Sequence, residues 1–340
     1  ATVHSGIYQM EYGAIFTTDS QGFFKRSLLE SCTTSPVDPV KLPSGEVWFE
    51  ASLKWESGKT YVFGVDPASE VDNFSIVVME VNSDHRRIVH CWTTTRQQHK
   101  DKLKSKIVDE DDFYSYCAKK IRQLMKVYPC AEVAMDAQGG GIAVMEALHD
   151  KDKIPEGEVA IWPVIEEKAK DTDDHAGLHI LRMCQFAKYD WLAEANHGLR
   201  KDFEDKTVLF PYFDSASLGI ALEVDKASGR QYDTLEDCVM EIEELKDELS
   251  MIVMTQTGTG RERWDTPEVK TGAGRKSRLR KDRYSALIMA NMSARSVSTV
   301  KDTPEYGAFG GFAGNTGSAF SDEKLYHGPA WFTEKMDNIY

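Results

Sequence analysis

Tyr61-Val62-Phe63-Gly64-Val65-Asp66 is an apolar run, rich in β-branched and aromatic residues, that stops on an acid. Such a run reads as a buried strand with a carboxylate at its C-terminal end. Phe74 to Val81 and Arg87 to Thr95 read as two more strands separated by polar turns. In Asp111 to Tyr128 the apolar residues Phe113, Cys117, Ile121, Leu124 and Tyr128 recur every three or four positions, and Pro129 follows, which predicts a helix. Glu132-Val133-Ala134-Met135-Asp136 is a second short strand ending on an acid, and Gly139-Gly140-Gly141 leads from it into a helix ending near Leu148. Beyond it the pattern predicts a strand over Val159 to Ile165, a largely helical stretch over Asp173 to Phe203 and an edge strand over Thr207 to Phe210. It then predicts an acidic amphipathic helix over Thr234 to Met251, a hairpin within Ile252 to Lys270 and a last helix over Ser277 to Val297. Three hairpin-linked strands followed by alternating strands and helices predict an α/β fold, with a mixed central sheet flanked by helices.

Asp66 and Asp136 both stand at C-terminal strand ends, where ligands collect in open α/β sheets. Asp282 stands at the start of the last helix, inside Arg280-Lys281-Asp282-Arg283-Tyr284. If that helix crosses the sheet near those strand ends, three carboxylates converge. Oxygen-only donors suit Mg²⁺ or Mn²⁺, and two such ions can activate a water and stabilise the leaving oxygen of a phosphodiester. Taken singly, each acid has a blander reading: a strand-terminal Asp caps the next turn, and an Asp at a helix start complements the helix dipole. The chemical reading rests on the three together.

The chain of 340 residues has a net charge of −14, yet Arg261 to Arg283 holds nine Lys or Arg against four Asp or Glu. A basic segment on an acidic body suits local phosphate binding. Arg261, Arg263, Lys276, Arg278, Arg280, Lys281 and Arg283 are its candidate contacts to a nucleic-acid backbone; a solvated charge run is the alternative. Glu241, Glu243, Glu244, Asp247 and Glu248 read as a solvated acidic helix face, or as a shield that limits DNA access. The six cysteines form no CxxC pair and read as buried reduced thiols, and the histidines are read as offering no HxxxH or HExxH spacing, which argues against a zinc hydrolase. No apolar run approaches the length of a membrane span, and the first residues do not read as a signal peptide.

Gly64-Val65-Asp66-Pro67-Ala68 with Asp72, then Met135-Asp136-Ala137-Gln138-Gly139-Gly140-Gly141, then Lys281-Asp282-Arg283-Tyr284-Ser285-Ala286-Leu287, resemble in order and spacing the three acidic motifs of the nuclease domain of phage terminase large subunits. Trp264-Asp265-Thr266-Pro267 ahead of Lys276-Ser277-Arg278 is similar to the region before the third motif. The resemblance covers roughly residues 58 to 297. It implies an RNase H-like fold and an endonuclease that cuts concatemeric viral duplex DNA during genome packaging, with little sequence preference. It also implies two divalent ions, Mg²⁺ or Mn²⁺, held by Asp66, Asp136 and Asp282, with Asp72 as a further ligand candidate and Asp66 bridging the ions. Implied partners are double-stranded DNA, the portal protein, the small terminase subunit and the ATPase half of the same protein. The implied place of action is the host cytoplasm, transiently at the procapsid portal.

On that reading residues 1–57 are a linker and the remnant of the ATPase half, because Tyr12 to Phe16 and Asp19 to Phe24 are similar to its end. Residues 58–300 are the nuclease domain, and residues 301–340 are a flexible tail rich in Gly and aromatics. The chain departs from the family plan in lacking GxxxxGK[ST]. Ser57-Gly58-Lys59-Thr60 imitates its end but precedes a strand, so no ATPase motor is expected in this chain. Three other classes stay open: another RNase H-like nuclease of the resolvase or transposase kind, an actin- or sugar-kinase-like nucleotide-binding domain, whose first strand also ends in GxD, and a non-catalytic docking module whose tail binds other packaging components.

Overall fold

The computed structural model describes residues 22–67, 73–165, 175–186, 188–227, 229, 232–258, 260–270 and 276–299. Asp72, the tail and the motifs before Gln21 lie outside the described residues. Helix α1 (Arg26–Ser31) and the hairpin β1 (Val40–Leu42) and β2 (Gly45–Val47) precede the long strands β3 (Thr60–Asp66), β4 (Phe74–Val81) and β5 (Arg86–Thr94). Then come α2 (Arg96–Lys104), α3 (Phe113–Val127), β6 (Cys130–Asp136), α4 (Gly141–His149), β7 (Ile161–Pro163) and β8 (Leu178–Cys184). The rest of the chain forms α5 (Tyr189–Glu204), β9 (Val208–Leu209), α6 (Ser215–Ala227), α7 (Leu235–Met251), the hairpins β10 (Val253–Gln256) with β11 (Glu262–Asp265) and β12 (Glu268–Lys270) with β13 (Lys276–Arg278), and α8 (Asp282–Thr299).

Among the described residues one seven-stranded sheet runs β7-β8-β6-β3-β4-β5-β9, and only β4 opposes the others. The chain lays down β3, β4 and β5 as a meander, then adds β6 and β8 on the free side of β3. In order of appearance that is third-second-first-fourth-fifth, with helices on both faces, and the fold is RNase H-like. A strand with helices above and below it has no solvated side, so the central strands are apolar nearly throughout: β3 is buried from Thr60 to Val65.

One face carries Phe63, Val65, Phe74, Ile76, Val78, Val133 and Met135 against α3 and α4. The other carries Val62, Val77, Met79 and Cys91 against α8, with α7, α5 and α1 closing the layer behind it. Helix α8 is buried from Asp282 to Ala294, so it is a central element with no solvent face over that stretch. It lies directly on β3. A Cβ on Gly64 would sit 1.9 Å from the Ala286 carbonyl oxygen and 2.6 Å from the Ala290 nitrogen.

Three expectations need correction. Phe23, Phe24, Leu29 and Cys32 belong to the core under α8, and Phe23 N–H donates to the Ile252 carbonyl at 2.7 Å. From Phe23 onward the stretch read as a linker is therefore part of the folded domain. The span expected to be helical from Asp173 contains the strand β8, paired in parallel with β6 and β7. Residues 276–278 form a strand, so the last helix begins at Asp282. The six cysteines are all buried and free.

Beneath α8 lies a buried polar network. Arg86 donates to Asp202 at 2.8 and 3.2 Å and to Asn291 at 2.8 Å, and Asn291 donates to Asp202 at 2.7 Å. It ties β5, α5 and α8 together. Removing one member leaves a buried charge without its partner, which costs about 3–5 kcal/mol. Arg86→Met is expected to lower stability by that amount in urea unfolding followed by fluorescence. A loss under about 1 kcal/mol would show the network to be dispensable.

Candidate active site

Strands β3 and β6 pair in parallel with Val65 opposite Met135, so the next residues, Asp66 and Asp136, end neighbouring strands at the same edge. Neighbouring strands lie about 4.8 Å apart. Side chains alternate along a strand, so Asp66 shares the face of Gly64 and Asp136 that of Ala134, the face that receives α8. Asp282, the first residue of α8, is buried and accepts the backbone N–H of Asn73 at 3.0 Å. One turn on, Ser285 hydrogen-bonds to Asp66. Two parallel strand ends and one helix start thus bring the three predicted acids to one edge.

The three acids act on one another electrostatically. The Asp66 carboxyl is pushed well above the usual carboxylate range by burial first, then by the charge of Asp282, then by that of Asp136; the Ser285 hydrogen bond opposes the rise. Asp136 is raised by burial, against backbone N–H donors at Gln138, Phe186 and Ala137. Its Oδ1 accepts Gln138 N–H at 3.1 Å, so it caps its own turn as well as facing the site. In the turn that follows, Gly139 holds a left-handed φ of +59°, and a Cβ on Gly141 would meet the Asp136 carbonyl oxygen at 2.0 Å. These glycines serve the tight return from β6 into α4.

Among the described residues no group of three or more His, Cys, Asp or Glu side chains is arranged to hold a metal ion as it stands. Two of the three carboxylates are turned onto backbone N–H donors, at Asn73 and Gln138. Their donor chemistry fits a hard divalent cation, and their mutual repulsion is what such a cation would relieve.

A fourth acid, Glu248, expected on a solvated or shielding helix face, lies beside the site instead. Glu248 on α7 is buried, accepts the Tyr284 N–H at 3.0 Å and receives Arg283 Nη1 at 2.7 Å, while Arg283 Nε reaches Glu241 at 2.6 Å. Burial pushes its carboxyl up to about 7, the Arg283 charge pulls it down and Asp282 adds to the rise. Glu248 therefore holds the first turn of α8 from outside, beside Asp282. The signal was available: Glu241, Leu245 and Glu248 fall on one helix face, so two acids share the apolar side. The helix face read as solvated is in fact anchored at Glu241 and Glu248, and Arg26 pairs with Glu243 and Asp247.

The chain matches no known family profile and no curated protein. It is similar in structure to large terminase nucleases. The nuclease of the large terminase from thermophilic phage G20c is 13% identical, with 79% of this chain and 97% of that chain covered at a TM-score of 0.43. The large terminase of bacteriophage HK97 is 12% identical, with 79% and 43% covered at 0.41. The large terminase nuclease domain of Thermus phage P74-26 is 11% identical, with 79% and 94% covered at 0.39. The G20c nuclease has also been solved with bound magnesium and with bound cobalt.

The basic candidates divide. Arg261, Arg263 and Arg280 are exposed. Arg280 donates to the Asn73 side chain, at the same edge as the acids. Lys281 pairs with Asp265 at 3.2 Å and reaches the Trp264 carbonyl at 3.4 Å, which fastens the β10–β11 hairpin to the start of α8. Arg283, expected among the phosphate contacts, is buried and turned inward onto Glu241 and Glu248, so it serves the scaffold. The side chains of Lys276 and Arg278 lie outside the described residues. The expectation that the histidines show no HxxxH spacing is wrong, since His175 and His179 stand four apart. The ring nitrogens of His179 face the carbonyl oxygens of Pro163 and His175 at 3.1 and 2.9 Å, which points them away from a metal role.

Proposed function

We propose that this chain is the nuclease part of a phage terminase large subunit, an endonuclease that needs divalent metal and cuts concatemeric viral duplex DNA during packaging. The observation that carries the reading is the meeting of Asp66, Asp136 and Asp282 from three separate segments, close enough for the charges of Asp282 and Asp136 to raise the carboxyl of Asp66. Such a cluster is costly unless a cation shares it. Asp66, Asp136 and Asp282 are the residues that would hold Mg²⁺ or Mn²⁺, with Asp72 as an outlying candidate. Bound there, a pair of such ions supplies an activated water and stabilises the leaving oxygen of a phosphodiester. The chain's own part is to hold the three carboxylates in register, through the β3–β6 pairing and the Glu248 hold on α8, and to seat phosphates with Arg261, Arg263 and Arg280. Contacts to phosphate position a duplex without reading its sequence, which fits cutting with little sequence preference.

The ATPase half, the small subunit and the portal protein are the partners that go with this reading, and the host cytoplasm is its place of action. Among the described residues no helix is long and apolar enough to cross a membrane. The test is incubation of supercoiled plasmid with the purified chain in Mg²⁺, Mn²⁺ or EDTA, beside an Asp282→Ala protein. Cleavage that needs metal and vanishes in the variant is the expected result. Intact plasmid in every lane, with the protein shown to be folded, would overturn the reading.

A further inference from the structure

The edge that carries Asp66 continues across the sheet. Asp66 pairs with Ser75, Ser75 with Thr93, and Phe74 with Thr94, so β5 ends level with β3. Two residues on, Arg96 opens α2, behind Thr95, whose side chain caps the helix by accepting Gln98 N–H at 3.1 Å. The Arg96 guanidinium lies 4.7 Å from the ring centroids of both Phe113 and Tyr114. Tyr114 in turn packs against the turn that follows Asp136, since a Cβ on Gly140 would come within 2.3 Å of its ring. On the other side, the ring of Phe113 meets that of Phe74 edge-on at 6.4 Å, and Phe74 follows Asn73, the residue that Arg280 and Asp282 both contact. Arg96 therefore stands at the same end of the sheet as Asp66 and Asp136, on the α3 side, while Arg280 and the three acids stand on the α8 side.

What sets Arg96 apart is what it lacks. Among the described residues it has no carboxylate partner, and its Nε is buried without a hydrogen-bond acceptor. Most other buried or half-buried arginines of this fold, among them Arg86, Arg87, Arg122, Arg182 and Arg283, are paired with acids. Two aromatic rings already restrict the guanidinium, so a ligand meeting it loses little side-chain entropy. Burial shuts Nε off from a ligand, so it is the two Nη groups, which make no hydrogen bond among the described residues, that can meet a phosphate oxygen pair.

We propose that Arg96 binds a backbone phosphate of the duplex on the β5 side of the three acids, as a subsite that the basic segment 261–283 does not supply. This rests on the nuclease reading. The Phe113 and Tyr114 rings hold the guanidinium ready, and Tyr114 links the contact to the turn beside Asp136.

The experiment measures binding of a fluorescent 30-base-pair duplex by anisotropy, across a salt series in Mg²⁺, in an Asp282→Ala background so that nothing is cut. Adding Arg96→Ala is expected to weaken binding about tenfold, the loss of one hydrogen bond to a charged group. It should also make the slope of log affinity against log salt shallower by about 0.9, one phosphate contact. Arg96→Lys keeps the charge but not the fork, so the slope should return while affinity recovers only in part. Lys201→Ala, an exposed lysine paired with Asp205, should change neither. Arg96→Gln keeps a side chain between the rings and gives the answer if the alanine variant is unstable. Unchanged affinity and slope in Arg96→Ala or Arg96→Gln, with the background protein binding well, would overturn the Arg96 subsite alone. No duplex binding by the background protein even at low salt would overturn the nuclease reading and the subsite with it.

Discussion

Asp66→Asn is expected to remove at least about a thousandfold of the cleavage rate and, at the same time, to make the metal-free protein more stable. The two effects share one cause. The Asp66 carboxylate is half-buried and faces the charges of Asp282 and Asp136, so without a cation its ionised form is disfavoured. An amide of the same shape removes that repulsion and can keep the hydrogen bond to Ser285. It also removes the charge that would hold a divalent ion, whose stabilisation of a transition state is worth several kcal/mol. Thermal unfolding in EDTA should show a rise in melting temperature for the Asp66→Asn protein of about 2–4 °C, the shift that 1 kcal/mol produces in a domain this size. Adding Mn²⁺ should raise the melting temperature of the unaltered protein and leave that of Asp66→Asn almost unmoved, because only a species that binds the folded state stabilises it. A variant that still cuts plasmid at a tenth of the normal rate would remove Asp66 from the site. Equal stabilisation of both proteins by Mn²⁺ would place the metal elsewhere.

That pairing of function with instability also shows what the sequence could and could not disclose. The strands β3, β4, β5 and β6 were legible because burial on both faces leaves a continuous apolar run, and an acid closing such a run stands out. Strand β8 was not, because Leu178-His179-Ile180-Leu181-Arg182-Met183-Cys184 holds one β-branched residue and several good helix formers. Its conformation comes from its neighbours β6 and β7, and local propensity yields to that pairing. Charge was read correctly as a quantity and poorly as a direction. Arg280 and Arg283 are three positions apart, yet one reaches Asn73 at the open edge and the other is buried against Glu241 and Glu248. Which way a side chain leaves the start of a helix depends on what packs there, and here that is α7. Arg96 was invisible for a related reason: nothing in Thr95-Arg96-Gln97 announces that Phe113 and Tyr114 will flank it.

The meeting of the acids depends on how closely α8 can approach the sheet, and Gly64 sets that distance. Gly64→Ala places a methyl group where the Ala286 carbonyl oxygen lies 1.9 Å away and the Ala290 nitrogen 2.6 Å away. Both obstacles are backbone atoms of a buried helix, so no rotamer change relieves the clash. Either β3 bends or α8 lifts, and α8 is held at its start by Glu248 and further along by Asn291, which contacts both Arg86 and Asp202. Overpacking of a tight core costs about 1–3 kcal/mol and sometimes more; with backbone on both sides the upper end or beyond is expected here. Gly219 in α6 has nothing within 4 Å of its missing Cβ, so Gly219→Ala should be neutral or stabilising by up to about 1 kcal/mol through helix propensity alone. Urea midpoints of the two proteins give the comparison. Activity adds a second axis, because lifting α8 carries Asp282 and Ser285 away from Asp66. Gly64→Ala should therefore lose cleavage per folded molecule as well as stability, whereas Gly219→Ala should lose neither. A Gly64→Ala protein within about 1 kcal/mol of the parent and fully active would mean that α8 does not rest on β3 as closely as 1.9 Å implies, and the joining of the three acids would need another explanation.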